Sequence, residues 1–264
     1  MSLKADLLGT LIYAALLAYG LAFALAAGGR KKQGKALFAT GFLLAAVAVA
    51  FRWAQVAHVP LQSLFEVFLA LGTLAYPFAL LCRRLFKADT LTVDIAMGFV
   101  LLWPAAFVFD SGPRPLPPAL QSVWFLPHVT AYVAGYVALT QAALQAVPLL
   151  FRRGFADPAG AAEREQLAYR MACLGFPLLT IGLLLGAWWA KQAWGDFWQW
   201  DPKEMGSLAT WLVYAGYFHF RAAVGRRHVR VNAALLVIGE ALVILTLLWV
   251  NLSRLFPGLH NYAQ

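Results

Sequence analysis

Long apolar stretches, separated by short polar segments, set the pattern of this chain from end to end. A helix needs about 20 apolar residues to cross the hydrocarbon core of a bilayer. Eight stretches reach roughly that length, so the pattern predicts an all-α, polytopic membrane bundle of about eight transmembrane helices. They lie at residues 6–27, 36–54, 62–82, 90–109, 125–151, 167–190, 205–223 and 231–252.

Basic residues are concentrated in alternate connections between these stretches. Most of the 21 lysines and arginines lie in the first, third, fifth and seventh connections. Lysine and arginine collect on the cytoplasmic side of membrane proteins. We therefore expect both termini on the outer face. The sequence shows no linker or internal repeat, which predicts a single membrane domain over residues 1–264, and its bias toward alanine, leucine and arginine favours a bacterial cytoplasmic membrane.

Composition supports a membrane protein and removes other classes. Apolar residues make up 62% of the 264 and charged residues 12%, whereas soluble domains have about 25% charged residues. The net charge of +9 is explained by the basic connections, so no nucleic-acid partner is expected. The two cysteines, Cys82 and Cys173, form no CxxC pair.

A tryptophan-rich segment, residues 188–204, lies in a connection predicted to face outward. It holds half of the chain's 10 tryptophans together with Asp201, Lys203 and Glu204. Tryptophans that only mark a membrane interface are usually scattered over several helix ends. Their clustering with polar residues favours an external platform for a flat, hydrophobic ligand.

Histidines are candidate ligands for a metal ion at the centre of a flat, hydrophobic ligand. His128 begins the fifth stretch and His260 lies in the C-terminal tail, so both are predicted on the side of the tryptophan-rich segment. Two neutral imidazoles can occupy the two axial positions of haem iron. Zinc, the rival, would require three or four closely spaced ligands, and that spacing is absent from the sequence.

Ionisable groups within predicted spans are candidates for function or for holding helices together. His219 lies about one turn from the inner end of the seventh stretch. Glu66 and Glu240 lie in the third and eighth stretches, and for Glu240 we favour a helix-bridging role. The role of His58 is not separable from the turn that it forms with Pro60.

The run from Trp194 through Trp198, Trp200 and Asp201 to Glu204 resembles the WWD signature of haem-handling proteins. Its form is similar to that of the CcsA (ResC) family of System II cytochrome c biogenesis. The segments 212–221, 250–262 and 58–66 also resemble parts of that family, with Val59, Gln62 and Phe65 as departures.

This resemblance implies a haem transporter and presenter. Together with a CcsB (ResB) partner, such a protein would attach haem b to the CxxCH cysteines of apocytochrome c, as one subunit of a holocytochrome c synthase. The resemblance implies that His128 and His260 are the axial ligands of an external haem. Trp194, Trp198, Trp200 and Asp201 would form its platform. His219 would match a transmembrane haem ligand whose opposite ligand comes from the partner.

Alternatives remain at this stage. A HemX-like membrane protein of haem synthesis or its regulation would have a similar size and span number. A b-type haem electron-transfer subunit is a further possibility, but it would place paired histidines deep in the bilayer. Lys191, Lys203 and Arg254 are candidates for pairing with the haem propionates, and the sequence does not choose among them.

Overall fold

The computed structural model describes residues 4–151 and 157–249. This part of the chain is helical and contains no β-strand. Each predicted apolar stretch coincides with one helix, to within a few residues at most ends. The helices are α1 (Leu7–Ala27), α2 (Lys31–Val56), α3 (Leu64–Phe86), α4 (Leu91–Phe107), α5 (Phe125–Ala146), α6 (Pro158–Trp194), α7 (Pro202–Val224) and α8 (Val229–Ile244).

Six of the helical segments are long and apolar enough to cross a membrane. A 3₁₀ turn, Val147–Leu150, extends α5, and a π-helical turn, Leu245–Trp249, extends α8. Helix α4 is apolar but has only 17 residues, and α7 is not among the six. The chain thus has the composition of a multi-pass helical membrane protein, while the count of eight spans stays a prediction.

The contacts within the chain divide it into two compact units, Met1–Leu120 and Gln121–Gln264. Unit 1 contains α1 to α4, and unit 2 contains α5 to α8. The single membrane domain and the outward position of both termini stay predictions.

Close helix contacts in unit 1 depend on glycines. A Cβ on Gly41 would lie 2.5 Å from the Tyr19 ring, and one on Gly72 would lie 2.7 Å from Leu102 Cβ. Tyr19 is fully buried, and its hydroxyl donates a 3.2 Å hydrogen bond to the carbonyl oxygen of Gly72. Small residues at such contacts let helix backbones approach closely.

The polar residues of unit 1 gather where α2 ends and α3 begins. Ser63 and Glu66 form a capping box at the start of α3, which satisfies backbone N–H groups that the helix leaves free. Arg52 donates to Glu66 and to the carbonyl oxygens of Ser111 and Gly112. The candidate residue Glu66 therefore has a structural partner in the same unit.

His58, in the turn before α3, makes one local hydrogen bond. Its Nδ1 lies 3.1 Å from the carbonyl oxygen of Val59. Its Nε2 is buried, and the described residues offer it no hydrogen-bond partner. These contacts assign it no role beyond the turn.

Polar contacts also link the helices of unit 2. The Thr140 hydroxyl donates a 2.7 Å hydrogen bond to Glu240 and so joins α5 to α8. Arg221 of α7 donates to both carboxylate oxygens of Glu165 in α6, at 2.8 and 3.2 Å. The helix-bridging interpretation of Glu240 agrees with the first of these contacts.

Candidate functional site

His128 lies in the first turn of α5 and is oriented by α6. Its Nδ1 is 2.8 Å from the carbonyl oxygen of Gly182. A carbonyl oxygen only accepts hydrogen bonds, so Nδ1 carries the proton and donates. In the neutral ring the lone pair is then on Nε2, the nitrogen that can bind a metal ion.

Aromatic rings surround the His128 imidazole. Trp189 lies nearly parallel to it, with ring centroids 5.7 Å apart and an interplanar angle of 14°. Tyr132 meets the imidazole edge-on at 5.1 Å. Trp194, at the end of α6, packs against Trp189 with centroids 4.7 Å apart. The structure therefore connects His128 to the predicted platform residue Trp194 through the buried Trp189.

The chain changes direction directly after Trp194. Gly195 ends α6 with φ +94°, a left-handed conformation that glycine adopts without steric cost. The Lys191 ammonium donates a 2.5 Å hydrogen bond to the Gly195 carbonyl oxygen and lies 5.5 Å from the centre of the Phe197 ring. Lys191, a candidate for a propionate, thus stabilises this turn.

Several large rings of the tryptophan-rich segment are exposed. Trp188 contacts Trp124 and Phe197, with centroids 5.9 and 5.6 Å apart. Trp198 and Trp200 lie perpendicular to each other at 6.0 Å, and Trp200 is 67% exposed. Exposed, mutually packed rings are suited to binding a flat apolar ligand.

Trp198 and Trp200 each show a feature that packing alone does not explain. The indole Nε1 of Trp198 is buried, and no acceptor among the described residues satisfies it. Trp200 has φ +59°, which is unfavourable for a bulky residue. Orphaned donors and strained residues are found at binding sites more often than elsewhere.

Asp201 has a backbone role at the start of α7. Its carboxylate accepts a 2.8 Å hydrogen bond from the backbone N–H of Lys203. Glu204 completes a capping box by accepting from the backbone N–H of Asp201 at 3.1 Å and of Gln199 at 2.8 Å. The two acids therefore fix the segment that carries Trp198 and Trp200.

His219 lies far along α7 from this group. It is 18 residues beyond Asp201, which is about 27 Å along a helix. Its side chain is exposed, and Nδ1 lies 2.8 Å from the carbonyl oxygen of Ala215. As in His128, this bond leaves the lone pair of the neutral ring on Nε2. The structure places His128 near the tryptophan-rich segment and His219 elsewhere.

Two predicted residues, His260 and Arg254, lie outside the described residues. Over the described ranges, no three or more His, Cys, Asp or Glu side chains are grouped to hold a metal ion. What the described part of the site offers is one oriented imidazole, a set of rings and an unsatisfied indole donor. This donor set fits haem, which has an apolar face, an iron that binds imidazole and anionic propionates.

Sequence reasoning missed three residues that contact His128: Tyr132, Gly182 and Gly186. It placed Trp189 in the tryptophan-rich segment but did not predict its contact with His128. A signal was available, because positions 182, 186 and 189 are spaced to share one face of a helix. Nothing in the sequence showed that this face meets His128.

Comparison with known proteins identifies the family of this chain. The described helices and the oriented imidazole define a multi-pass membrane protein with a candidate haem site. Residues 5–260 match the family model described as cytochrome c assembly protein, so the chain belongs to that family.

Relatives named Cytochrome c biogenesis protein CcsA confirm the resemblance noted in the sequence. The protein of Chlamydomonas reinhardtii is 36% identical over 239 residues, which cover 84% of this chain and 65% of that protein. The protein of Synechococcus elongatus is 33% identical over 289 residues, covering 87% of each. The chain thus spans just under two thirds of the algal relative and most of the cyanobacterial one.

A solved structure, that of cytochrome c haem lyase CcmF, shares the fold. It superposes with a TM-score of 0.72 over 94% of this chain and 47% of that chain, at 22% sequence identity. At 22% identity, this similarity shows a shared fold and nothing further.

Proposed function

We propose that this protein carries and presents haem for attachment to apocytochrome c. Membership of the cytochrome c assembly family supports a role in cytochrome c maturation. The observation that carries the haem proposal is His128, whose Nδ1–H is bound to a backbone carbonyl beside the tryptophan-rich segment. Because this bond holds the proton on Nδ1, Nε2 is the nitrogen of the neutral ring that is left to bind the metal.

Each residue of the proposed site has a distinct role. His128 and His260 bind the iron, while Trp194, Trp198 and Trp200 contact the apolar face of the porphyrin. Asp201 holds the segment at the start of α7 through its capping hydrogen bond. The buried Trp198 Nε1 is a donor suited to a propionate.

The cargo in this proposal is haem b, and its destination is the CxxCH motif of apocytochrome c. Haem supplies the vinyl groups to which the client thiols add, and this chain binds and orients it. Two imidazoles would fill both axial positions and keep dioxygen from the iron. A CcsB (ResB) subunit completes the synthase, and His219 faces it as one ligand of a transmembrane haem.

The proposed setting is a bacterial cytoplasmic membrane with eight spans and the haem site on the outer face. The alternating basic connections support this orientation. It places the tryptophan-rich segment on the side where c-type cytochromes receive haem.

The test is an optical and pyridine-haem spectrum of the detergent-purified protein, co-expressed with a CcsB partner. The parent is expected to contain low-spin haem, and His128→Ala and His260→Ala are expected to lose it or become high-spin. His228→Ala is a matched control, because His228 precedes α8 in a basic connection. An unchanged spectrum in both ligand variants would refute the proposal.

A further inference from the structure

Three residues on one face of α6 contact the same imidazole. Gly182, Gly186 and Trp189 follow the i, i+4, i+7 spacing of a helix face. Gly182 accepts the Nδ1 hydrogen bond of His128 at 2.8 Å. A Cβ on Gly186 would lie 2.5 Å from His128 Cε1 and 2.7 Å from Nδ1. Trp189 stacks on the ring at 5.7 Å.

We propose that Gly182, Gly186 and Trp189 form a cradle that holds His128 in one tautomer and one ring plane before haem arrives. They are positioning residues that act through His128 on the iron. This inference rests on the proposed function, since it assigns the cradle to the same haem ligand. It extends that function by stating how the ligand is prepared.

Steric and entropic arguments explain why the cradle needs these residue types. Only glycine at 186 leaves room for the imidazole, because a Cβ there would overlap two ring atoms. Trp189 is 2% exposed, so its ring is fixed by packing and offers a stationary surface. A ligand held in its bound orientation loses less entropy when it binds its target.

Tyr132 closes the cradle on the α5 side. It meets the His128 ring at an interplanar angle of 88°, and its own ring lies over Gly182, whose Cβ would come within 2.9 Å of it. The ring plane of His128 is therefore bounded by residues of two helices, α5 and α6.

The nature of the acceptor matters as well. A carboxylate behind a ligating histidine raises the basicity of the imidazole and binds the metal more tightly. Here the acceptor is a neutral backbone carbonyl. The cradle thus orients the ligand without placing a negative charge behind it.

The experiment compares the haem spectra, reduction potentials and haem affinities of Gly186→Ala and Trp189→Leu with those of the parent. We expect both variants to lose low-spin character and about tenfold or more in haem affinity, the range found for partners of metal ligands. Added imidazole should restore the low-spin spectrum. Gly216→Ala is the control for glycine, since a Cβ there has open space, and Trp53→Leu, at a residue 51% exposed, is the control for tryptophan.

A second measurement needs no bound haem and leaves the cradle residues unchanged. Nitrogen-15 NMR of histidine-labelled, haem-free protein reports the tautomer of His128, assigned by comparison with His128→Ala. We expect the proton on Nδ1. A ring that exchanges between tautomers would overturn the cradle even if a variant failed to fold.

The outcomes separate this inference from the proposed function. If His128→Ala loses low-spin haem while Gly186→Ala and Trp189→Leu keep the parent spectrum and potential, the cradle is refuted and the function stands. If His128→Ala itself keeps the parent spectrum, the proposed ligand is wrong and the cradle loses its purpose.

Discussion

The Arg52 guanidinium and the Glu66 carboxylate form a buried ion pair, with Nε and Oε1 2.8 Å apart and each side chain at most 2% exposed. The remaining guanidinium nitrogens donate to the carbonyl oxygens of Ser111 and Gly112, at 2.7 and 3.2 Å. Glu66 also accepts from the backbone N–H of Gln62 at 2.8 Å. One ion pair therefore joins the end of α2, the start of α3 and the segment after α4.

Removing Arg52 should destabilise unit 1 and release the segment after α4. Arg52→Ala leaves a buried carboxylate without its cation, a change that costs about 3–5 kcal/mol. We expect a lower unfolding temperature in detergent and faster hydrogen–deuterium exchange at residues 110–118.

The matched control for that variant is Arg114→Ala. Arg114 lies 3.6 Å from Asp110, and both side chains are well exposed, so the pair contributes at most about 1 kcal/mol. If Arg52→Ala and Arg114→Ala exchange at the same rate in residues 110–118, the ion pair does not hold this segment.

Two variants of Asp201 distinguish its role as a helix cap from a role in contacting haem. Asp201→Ala should cost about 1 kcal/mol, because N-cap aspartates contribute roughly 0.5–2 kcal/mol, and it should lower haem occupancy by loosening the segment. Asp201→Asn keeps an N-cap acceptor and should retain haem. The measurements are thermal unfolding and the pyridine-haem spectrum.

Asp157 provides a close comparison, since it also caps a helix and precedes a proline. Its carboxylate accepts from the backbone N–H of Ala159 at 3.1 Å, at the start of α6. Asp157→Ala should lose similar stability and no haem. Loss of haem in Asp201→Asn as well would mean that the charge of Asp201, rather than its cap, is required.

A variant of Trp200 tests whether its strained backbone conformation serves haem binding. Because its φ is +59°, Trp200→Gly removes a backbone cost of about 1 kcal/mol together with a largely exposed indole. We expect unchanged or higher stability and reduced haem occupancy, measured on the same preparation.

Lys87→Gly is the control for the backbone effect, because Lys87 has φ +53° at the end of α3. This variant should match the stability change of Trp200→Gly and keep the parent haem spectrum. Full haem occupancy in Trp200→Gly would remove Trp200 from the platform.

The Lys31 ammonium, which donates a 2.6 Å hydrogen bond, holds the pKa of Asp89 below its ordinary value. A group with a lowered pKa in the folded state adds stability above its unfolded pKa, and this stability is lost as the pH falls through the folded pKa. Both side chains are more than half exposed, so the effect on stability is under about 1 kcal/mol.

Lys31→Gln should therefore raise the pKa of Asp89, as followed by carbon-13 NMR of the carboxyl group. High salt should raise it in the parent as well, because salt screens exposed charges. Lys32→Gln is the neighbouring control. Equal pKa values in the parent and Lys31→Gln would show that the bond is not formed in solution.

The helices were largely predictable because long apolar stretches leave the chain few alternatives in a membrane. The start of α7 shows the limit of that reasoning. Asp201 stands before a proline and three residues before Glu204, which is the signature of a capped helix start. The family resemblance instead implies that Asp201 is part of the haem platform.

The environment of His128 could be predicted only in part. The tryptophan-rich segment was evident as a cluster, and His128 and Trp194 prove to be linked through Trp189. The contacts of Gly182 and Gly186 depend on how α5 and α6 face each other, which no local pattern specifies. The sequence shows that Glu66 lies within an apolar stretch and needs a partner, but it does not identify Arg52, which lies 14 residues away on another helix.

Helix α6 is continuous over 37 residues, or about 55 Å. One part of it carries Glu165, which binds Arg221, and another carries the face that meets His128. Each residue of an α-helix turns it by about 100°. A single insertion between these parts would rotate one contact face away from the other, whereas seven added residues would nearly restore the phase. The length of this stretch is therefore fixed by the two contacts, since added residues change both the angle and the distance between them.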